Sequence, residues 1–155
     1  MGLRFHFDWK RRLKGEHGAV AVEFAILAPV FLLLAFGIFD LGHAYYMKQV
    51  VTNASREGAR YAARYTTDTD GNHLKPSAYN PSIPTWVTTK YSSLLPTDAD
   101  LQVPTPEGAG YATGTAGADL SVTVNATKHW WVLGNLGLGL GSTATISSTT
   151  WMKVE

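Results

Sequence analysis

The longest hydrophobic pattern in the chain is a run of apolar residues from Ala19 to Phe39. Glu23 is its one ionisable side chain, and Pro29 and Gly37 are its two strong helix breakers. A helix of about 20 apolar residues spans the roughly 30 Å hydrocarbon layer of a bilayer. Membrane helices also accommodate proline and glycine. The pattern therefore predicts a transmembrane helix over residues 19–39.

Helical periodicity continues beyond the apolar run, over residues 40–65. This segment lacks proline, and its apolar and small residues recur at every third or fourth position. The spacing predicts that the same helix extends out of the membrane, to a length of about 69 Å at 1.5 Å per residue. Ala54, Gly58 and Ala62 put a small residue at every fourth position, which predicts close helix packing. The partner is either another subunit or the chain's own sheet.

The rest of the chain, residues 66–155, predicts a small distal α+β domain. Alternating apolar and polar residues predict strands near 120–127 and 143–154, and a short strand at Leu101–Val103. Between residues 66 and 118 the chain is rich in loop-forming residues. The expected fold class is α+β, with the long N-terminal helix packed on a small antiparallel sheet.

One short helix is predicted inside the loop-rich segment. Val87, Tyr91, Leu94 and Leu95 would share an apolar face. Thr85 is expected to cap the start of this helix and Pro96 to close its end.

The distribution of charge predicts the orientation of the membrane helix. Five basic residues precede Ala19, against Asp8 and Glu16. Positive charge beside a span favours the cytoplasmic side. We therefore expect a single-pass membrane protein with a cytoplasmic N-terminus and residues 40–155 outside the membrane. From residue 40 onward eight basic residues face nine acidic ones, so nothing indicates a nucleic-acid partner. Asp40, at the outer end of the span, is expected to lie in the headgroup region.

The junction between the basic segment and the apolar run indicates proteolytic processing. Gly18 stands at the boundary, and a glycine permits the extended backbone that a protease holds. Glu23 follows five residues later, where a buried carboxylate is costly and therefore a functional candidate. Cleavage after Gly18 would give Ala19 a free ammonium one helical turn from Glu23. Such a pair, within or between subunits, would fix the register of packed helices.

Three other interpretations stay open at this point. A cleaved secretory signal peptide also begins with a basic segment, although its apolar core is normally only about 7–15 residues. A plain uncleaved anchor would need no junction at all. Glu23 alone is also compatible with a carboxylate that reaches the cytoplasmic interface without any partner.

Three segments resemble a known family, the TadE-like pseudopilins, which are minor pilins of the tight-adherence (Flp, type IVb) pilus system. They are Gly18–Ala25 (GAVAVEFA), Gly37–Gly42 (GIFDLG) and Asn53–Ala63 (NASREGARYAA). The resemblance covers about residues 14–65. It implies a pilin-like fold and residence in the bacterial inner membrane, with the distal domain in the periplasm. It also implies a basic leader over residues 1–18 that a prepilin peptidase removes between Gly18 and Ala19. Major pilins of this system are much shorter, so the large distal region argues against the main filament subunit.

The resemblance also implies partners and a role in pilus assembly and cell adhesion. The partners would be the prepilin peptidase, other pilins or pseudopilins and the assembly platform, with Glu23 and Phe24 at the assembly contact. The alternative function is that of a bitopic envelope protein whose distal domain binds a surface or a carbohydrate. The apolar segment Trp130–Leu133 and the glycine-rich stretch after it favour that alternative.

Catalysis has little support in the sequence. The chain has no cysteine, and its five histidines are scattered. Neither an HExxH nor a GxSxG pattern occurs. We therefore expect no enzyme activity, no cofactor and no metal site.

Overall fold

The computed structural model of the chain describes residues 13–136, 139 and 141–155. It contains three α-helices and four strands in these residues: α1 Leu13–Ala63, α2 Ile83–Tyr91, β1 Ala99–Leu101, β2 Thr105–Glu107, α3 Ala109–Thr113, β3 Asp119–His129 and β4 Thr143–Lys153. Short 3-10 turns lie at Pro76–Ala78, Ser92–Leu94 and Leu133–Asn135. Most of the predicted leader, residues 1–12, lies outside the described residues, as do Gly137, Leu138 and Leu140 of the glycine-rich stretch.

The chain forms two compact units, which divide between Ile38 and Phe39. The first unit consists, in the described residues, of the N-terminal part of α1, which continues through Pro29 without ending. Proline at this position removes one backbone hydrogen bond, and the long helix on both sides of it persists. The second unit contains the remainder of α1 and every other element.

The sheet of the second unit is antiparallel and is built around β3. β4 pairs with the whole of β3, from Asp119 opposite Lys153 to His129 opposite Thr143. β1 and β2 share the other edge of β3, with β1 opposite residues 126–128 and β2 opposite residues 121–123. The fold class predicted from the sequence, a long N-terminal helix on a small antiparallel sheet, is confirmed.

The hydrophobic core lies between the second half of α1, α2 and one face of β3. Alternate residues of β3 point to this face, because successive side chains of a strand lie on opposite sides. The fully or almost fully buried residues are Met47, Val51, Ala54, Ala59 and Ala62 of α1, Ile83 and Val87 of α2, and Leu120, Val122, Val124 and Ala126 of β3. Burial of each larger aliphatic side chain contributes about 1.5–3 kcal/mol.

The predicted cap of α2 was wrong. Ser82, not Thr85, is the N-cap, and its Oγ accepts a hydrogen bond from the Thr85 backbone N–H at 3.4 Å. Pro84 fits the first turn of the helix, where no backbone N–H is needed. α2 ends at Tyr91, and Leu94 lies in the following 3-10 turn with 48% of its surface exposed.

Two further differences concern the short elements before β3. The strand predicted at Leu101–Val103 is in fact Ala99–Leu101, and Val103 is exposed. β2 and α3 were not predicted. They are joined by Gly108, whose φ of 106° lies in the region that favours glycine. A Cβ at that position would lie 2.5 Å from the Asp119 carbonyl oxygen, so the close approach to β3 requires glycine.

Candidate functional site

The residues of the predicted processing junction all lie in α1. Gly18, Ala19, Glu23 and Phe24 are helical and exposed, and a Cβ at Gly18 would meet no other atom within 4 Å. Gly18 is thus helical in the free chain, and the extended backbone that a protease would hold there stays a prediction. A peptidase would have to unwind this turn, which is easier at glycine because its helix propensity is about 1 kcal/mol poorer than that of alanine.

The large apolar side chains of the first unit are exposed from Val20 to Ile38. Phe24, Phe31 and Ile38 are each about 70% exposed, at 71%, 70% and 71%. The helix from Gly18 to Ala63 is long and apolar enough to cross a membrane, by its length and composition. An apolar surface of this extent is unfavourable in water and indicates a membrane or protein partner.

The three small residues of the second half of α1 lie against the chain's own sheet and α2. Ala54, Gly58 and Ala62 are buried. A Cβ on Gly58 would lie 2.8 Å from Cγ2 of Val87 and 3.2 Å from Cγ1 of Val122. The spacing allowed either another subunit or the chain's own sheet as the packing partner. In the structure these residues pack in the protein's own core.

A buried cluster of four ionisable residues lies where the second unit begins; we call it the Asp40 cluster, and it comprises Asp40, His43, Asp98 and Lys128. Asp40 and Lys128 are completely buried. Lys128 Nζ lies 3.4 Å from Asp40 Oδ1 and 3.8 Å from Asp98 Oδ2. Burying such charges is costly unless they are paired and hydrogen-bonded. The pairing indicates how this cost is offset.

Asp40 also binds the backbone of the segment that follows β3, residues 131–133, which we call the Trp131 loop. Its Oδ1 accepts a hydrogen bond from the Trp131 N–H at 3.2 Å. Its Oδ2 accepts from the N–H groups of Val132 and Leu133, at 3.0 and 3.1 Å. Three successive backbone donors thus converge on one carboxylate, and the loop is held against α1.

His43 lies between the charged groups of the cluster. Its Nδ1 is 3.1 Å from Lys128 Nζ and 3.5 Å from Asp98 Oδ2. An ammonium can only donate, so Nδ1 accepts from Lys128 in this arrangement. The imidazole also packs on the Trp131 ring, with 5.3 Å between the ring centroids. Lys128 Nζ lies 5.1 and 5.5 Å from the rings of Trp130 and Trp131, within the range of a cation–π contact.

The hydrogen bonds to Asp40 decide its protonation state. Burial raises the pKa of this carboxyl, but the donors on Val132, Leu133, Trp131 and Lys128 favour its charged form and outweigh the burial. The net effect lowers the pKa of Asp40 below its ordinary value, so the carboxylate is ionised at neutral pH. The Asp40 side chain is therefore bound inside the domain. Its expected position in the headgroup region stays a prediction.

Nothing in the sequence pattern indicated that Asp40 and Lys128 meet. They are separated by 88 positions, and Lys128 lies just beyond the strand predicted near 120–127, at the next alternating position. Its inward direction is a weak signal, since a charged residue on the core side of a strand requires a partner. Among the described residues, no group of three or more His, Asp or Glu side chains is arranged to hold a metal ion.

Together, these features define an α+β protein with one membrane-capable N-terminal helix, in the described residues, and a small distal sheet. Residues 18–60 match the family described as TadE-like protein. The resemblance to TadE-like pseudopilins is thus confirmed over that segment. The TadE-like family itself is associated with Tad pili and is structural and non-enzymatic. No curated protein and no solved structure matches the chain. The family match ends before α2 and the sheet.

Proposed function

We propose that this chain is a minor pilin that takes part in assembly of a Tad (Flp, type IVb) pilus. In this proposal residues 19–39 anchor it in the inner membrane, with the distal domain in the periplasm, and a prepilin peptidase cleaves after Gly18. The observation that carries the proposal is the extent of the family match. It begins at Gly18 and covers the whole apolar run together with most of the helix beyond it.

The exposed apolar half of α1 supports lateral assembly within the membrane. One face of the second half of the helix is covered by the chain's own sheet and α2, so the small residues on that face are not available to another subunit. The part up to Ile38 carries most of the exposed apolar side chains of the helix, including Phe24. Contacts with other pilins would therefore form along residues 19–38, through van der Waals packing and polar pairs.

Glu23 would provide the polar pair. Cleavage after Gly18 leaves an ammonium on Ala19, and Glu23 lies four residues on, which is about 6 Å along the helix axis at 1.5 Å per residue. In a medium of low dielectric an ammonium and a carboxylate attract strongly. Pairing between adjacent subunits would fix their axial register even where its net stabilisation is small.

The processing step is tested by intact-mass measurement after coexpression with the cognate prepilin peptidase. We expect a product that begins at Ala19. Gly18→Leu should retain residues 1–18, because a bulky side chain replaces the residue that the peptidase holds. Gly42→Ala is the matched control and should be cleaved normally. A wild-type product that still carries Met1–Gly18 would refute the processing claim.

The assembly step is tested separately with Glu23→Val and the isosteric Glu23→Gln. Both variants should be cleaved as wild type, because the change lies beyond the cleaved bond. Both should be incorporated poorly into pili, as measured by immunoblotting of sheared filaments. Normal incorporation of either variant would show that the carboxylate does not pair with the new N-terminus.

A further inference from the structure

The end of the distal domain next to the apolar run combines buried charges with exposed apolar side chains. The run from Ala19 to Phe39 contains 21 residues, or about 31 Å of helix at 1.5 Å per residue. That length equals the thickness of the hydrocarbon layer. Asp40, the next residue, therefore stands at the outer boundary of the hydrocarbon if the run spans a bilayer.

The Trp131 loop is fixed at the level of Asp40. All three of its backbone N–H groups donate to the Asp40 carboxylate, at 3.0–3.2 Å. Unpaired backbone donors are costly near lipid, and here each has an acceptor. The same contacts remove the charge of Asp40 from the surface, since its side chain is completely buried.

The exposed side chains of the loop and of the turns of α1 next to Asp40 are suited to the boundary between hydrocarbon and water. Trp131 is 56% exposed, and Phe39, Leu41 and Tyr45 of α1 are 65%, 59% and 66% exposed. Tryptophan and tyrosine are enriched at membrane interfaces, where an apolar ring and a polar atom are both accommodated. Lys128, which would otherwise bring a charge to this surface, is completely buried.

From this arrangement we infer that the Trp131 loop, with Phe39, Leu41 and Tyr45, rests in the headgroup region of the lipid bilayer. The inference rests on the spanning helix of the proposed function and goes beyond it, because it assigns a lipid-contacting surface to the distal domain. The partner is the lipid surface itself. The Asp40 cluster makes the contact possible by holding the loop and covering its own charges.

The sheet provides a control position at the other end of the same domain. The pair His129–Thr143 ends the β3–β4 ladder beside the Trp131 loop, whereas the Glu155 N–H bonds to the Ala63 carbonyl oxygen at the far end of α1. Trp151 lies eight positions along β4 from Thr143, or about 26 Å at 3.3 Å per residue. It is 67% exposed, so it matches Trp131 in residue type and in exposure.

The chain has no cysteine, which permits single-site labelling of the full-length protein. We would prepare Trp131→Cys, Trp151→Cys and Leu33→Cys and attach a nitroxide to each. The proteins would be reconstituted in vesicles of phosphatidylcholine and phosphatidylglycerol. Collision rates with oxygen, which enters lipid, and with a water-soluble nickel chelate then report the depth of each label. Asn135→Cys, in the turn that follows the loop, repeats the measurement without loss of the tryptophan.

The expected result is an oxygen-to-nickel ratio several-fold higher at positions 131 and 135 than at position 151, with the highest ratio at position 33. If position 33 lies in lipid while 131 and 135 resemble 151, the surface contact is wrong and the anchor still stands. Equal lipid contact at positions 131 and 151 would also overturn the proposed surface contact, because the contact would not be specific to one end of the domain. A water-exposed label at position 33 would overturn both the contact and the anchor of the proposed function.

Discussion

The Asp40–Lys128 pair should be the most sensitive polar contact of the distal domain to mutation. We expect Asp40→Asn to destabilise the second unit much more than any change of an exposed carboxylate. The asparagine keeps the shape of the side chain but removes its charge. The buried Lys128 ammonium then loses a counter-charge, and the three N–H groups of the Trp131 loop lose a strong acceptor.

The size of the effect follows from these contacts. A hydrogen bond to a charged group contributes about 1.5–3 kcal/mol, but three bonds to one carboxylate do not add fully. Breaking a buried pair by removing one partner costs about 3–5 kcal/mol, and we expect a loss of about 4 kcal/mol for Asp40→Asn. Lys128→Met should cost about 2 kcal/mol, because Asp40 keeps its three backbone donors.

The measurement is urea unfolding of full-length protein in detergent micelles, followed by tryptophan fluorescence. With an m-value of about 2 kcal/mol per molar urea, a loss of 4 kcal/mol lowers the midpoint by roughly 2 M. Asp119→Asn is the matched control. Asp119 forms an ion pair with Lys153 at 3.0 Å, but both side chains are about two-thirds exposed, at 67% and 68%. Loss of such a pair costs at most about 1 kcal/mol.

The double variant Asp40→Asn/Lys128→Met separates the pair from its surroundings. The two changes together should cost less than the sum of the single losses, by about 1–3 kcal/mol, because contacting residues are coupled. Additive losses would show that the two charges do not interact. A midpoint for Asp40→Asn as high as that for Asp119→Asn would show that burial of the carboxylate gives no special stability, and the reasoning would be refuted.

Three further predictions concern pH, close packing and a buried hydroxyl. The pKa of Asp40 is lowered in the folded state, so the stability that its carboxylate contributes is complete above the ordinary pKa of 3.8 and is lost as the pH falls through the pKa of the folded state. The urea midpoints of wild type and Asp40→Asn should therefore converge below about pH 4. A gap between the midpoints that stays constant with pH would contradict this. Gly58→Leu should lower the midpoint by overpacking the core, at a cost of about 3 kcal/mol, whereas Gly42→Ala, where a Cβ meets no atom within 4 Å, should not. Ser55→Ala should cost about 1–2 kcal/mol in the same assay, because Ser55 Oγ is hydrogen-bonded to Ser148 and Thr150 of β4; an unchanged midpoint would show that these bonds are dispensable.

The parts of the fold that repeat regularly in the sequence were predictable. The apolar run and the spacing beyond it indicated one long helix, because the period of 3–4 residues is fixed by helix geometry. Alternation over residues 120–126 indicated a strand, and these residues lie in β3. The second predicted strand near 143–154 overlaps β4. Both signals are local, and each can be read from a window of fewer than about 20 residues.

The short elements were not predictable for a physical reason. β2 has three residues, among them Pro106, and proline normally argues against a strand because it cannot donate to the ladder. It forms here because it pairs with residues 121–123 of β3, which supply the edge that its own sequence does not predict. α3 has five residues, too few for helical periodicity to appear. Their positions depend on tertiary contacts, which a local pattern does not contain.

The small residues of α1 show where a local pattern stops being informative. Ala54, Gly58 and Ala62 predict that some backbone approaches closely, but the spacing is the same for a neighbouring subunit and for the chain's own sheet. The contact of Gly58 with Val87 and Val122 resolves the question within one chain.

The same limit applied to Asp40, and its consequence is larger. By its position after the apolar run, Asp40 appeared to be a residue that simply meets lipid headgroups. In the structure its charge is turned inward, where it binds a lysine and three backbone donors from the segment after β3. An aspartate that follows an apolar run can thus hold a loop within the distal domain instead of serving only as a polar end to the run. If that is its role, disrupting the cluster should free the Trp131 loop without affecting the first unit. In an Asp40→Asn background, the label at position 33 should then keep its high oxygen-to-nickel ratio, because the anchor stays in lipid. The ratio at position 131 should fall, because the loop becomes exposed to water.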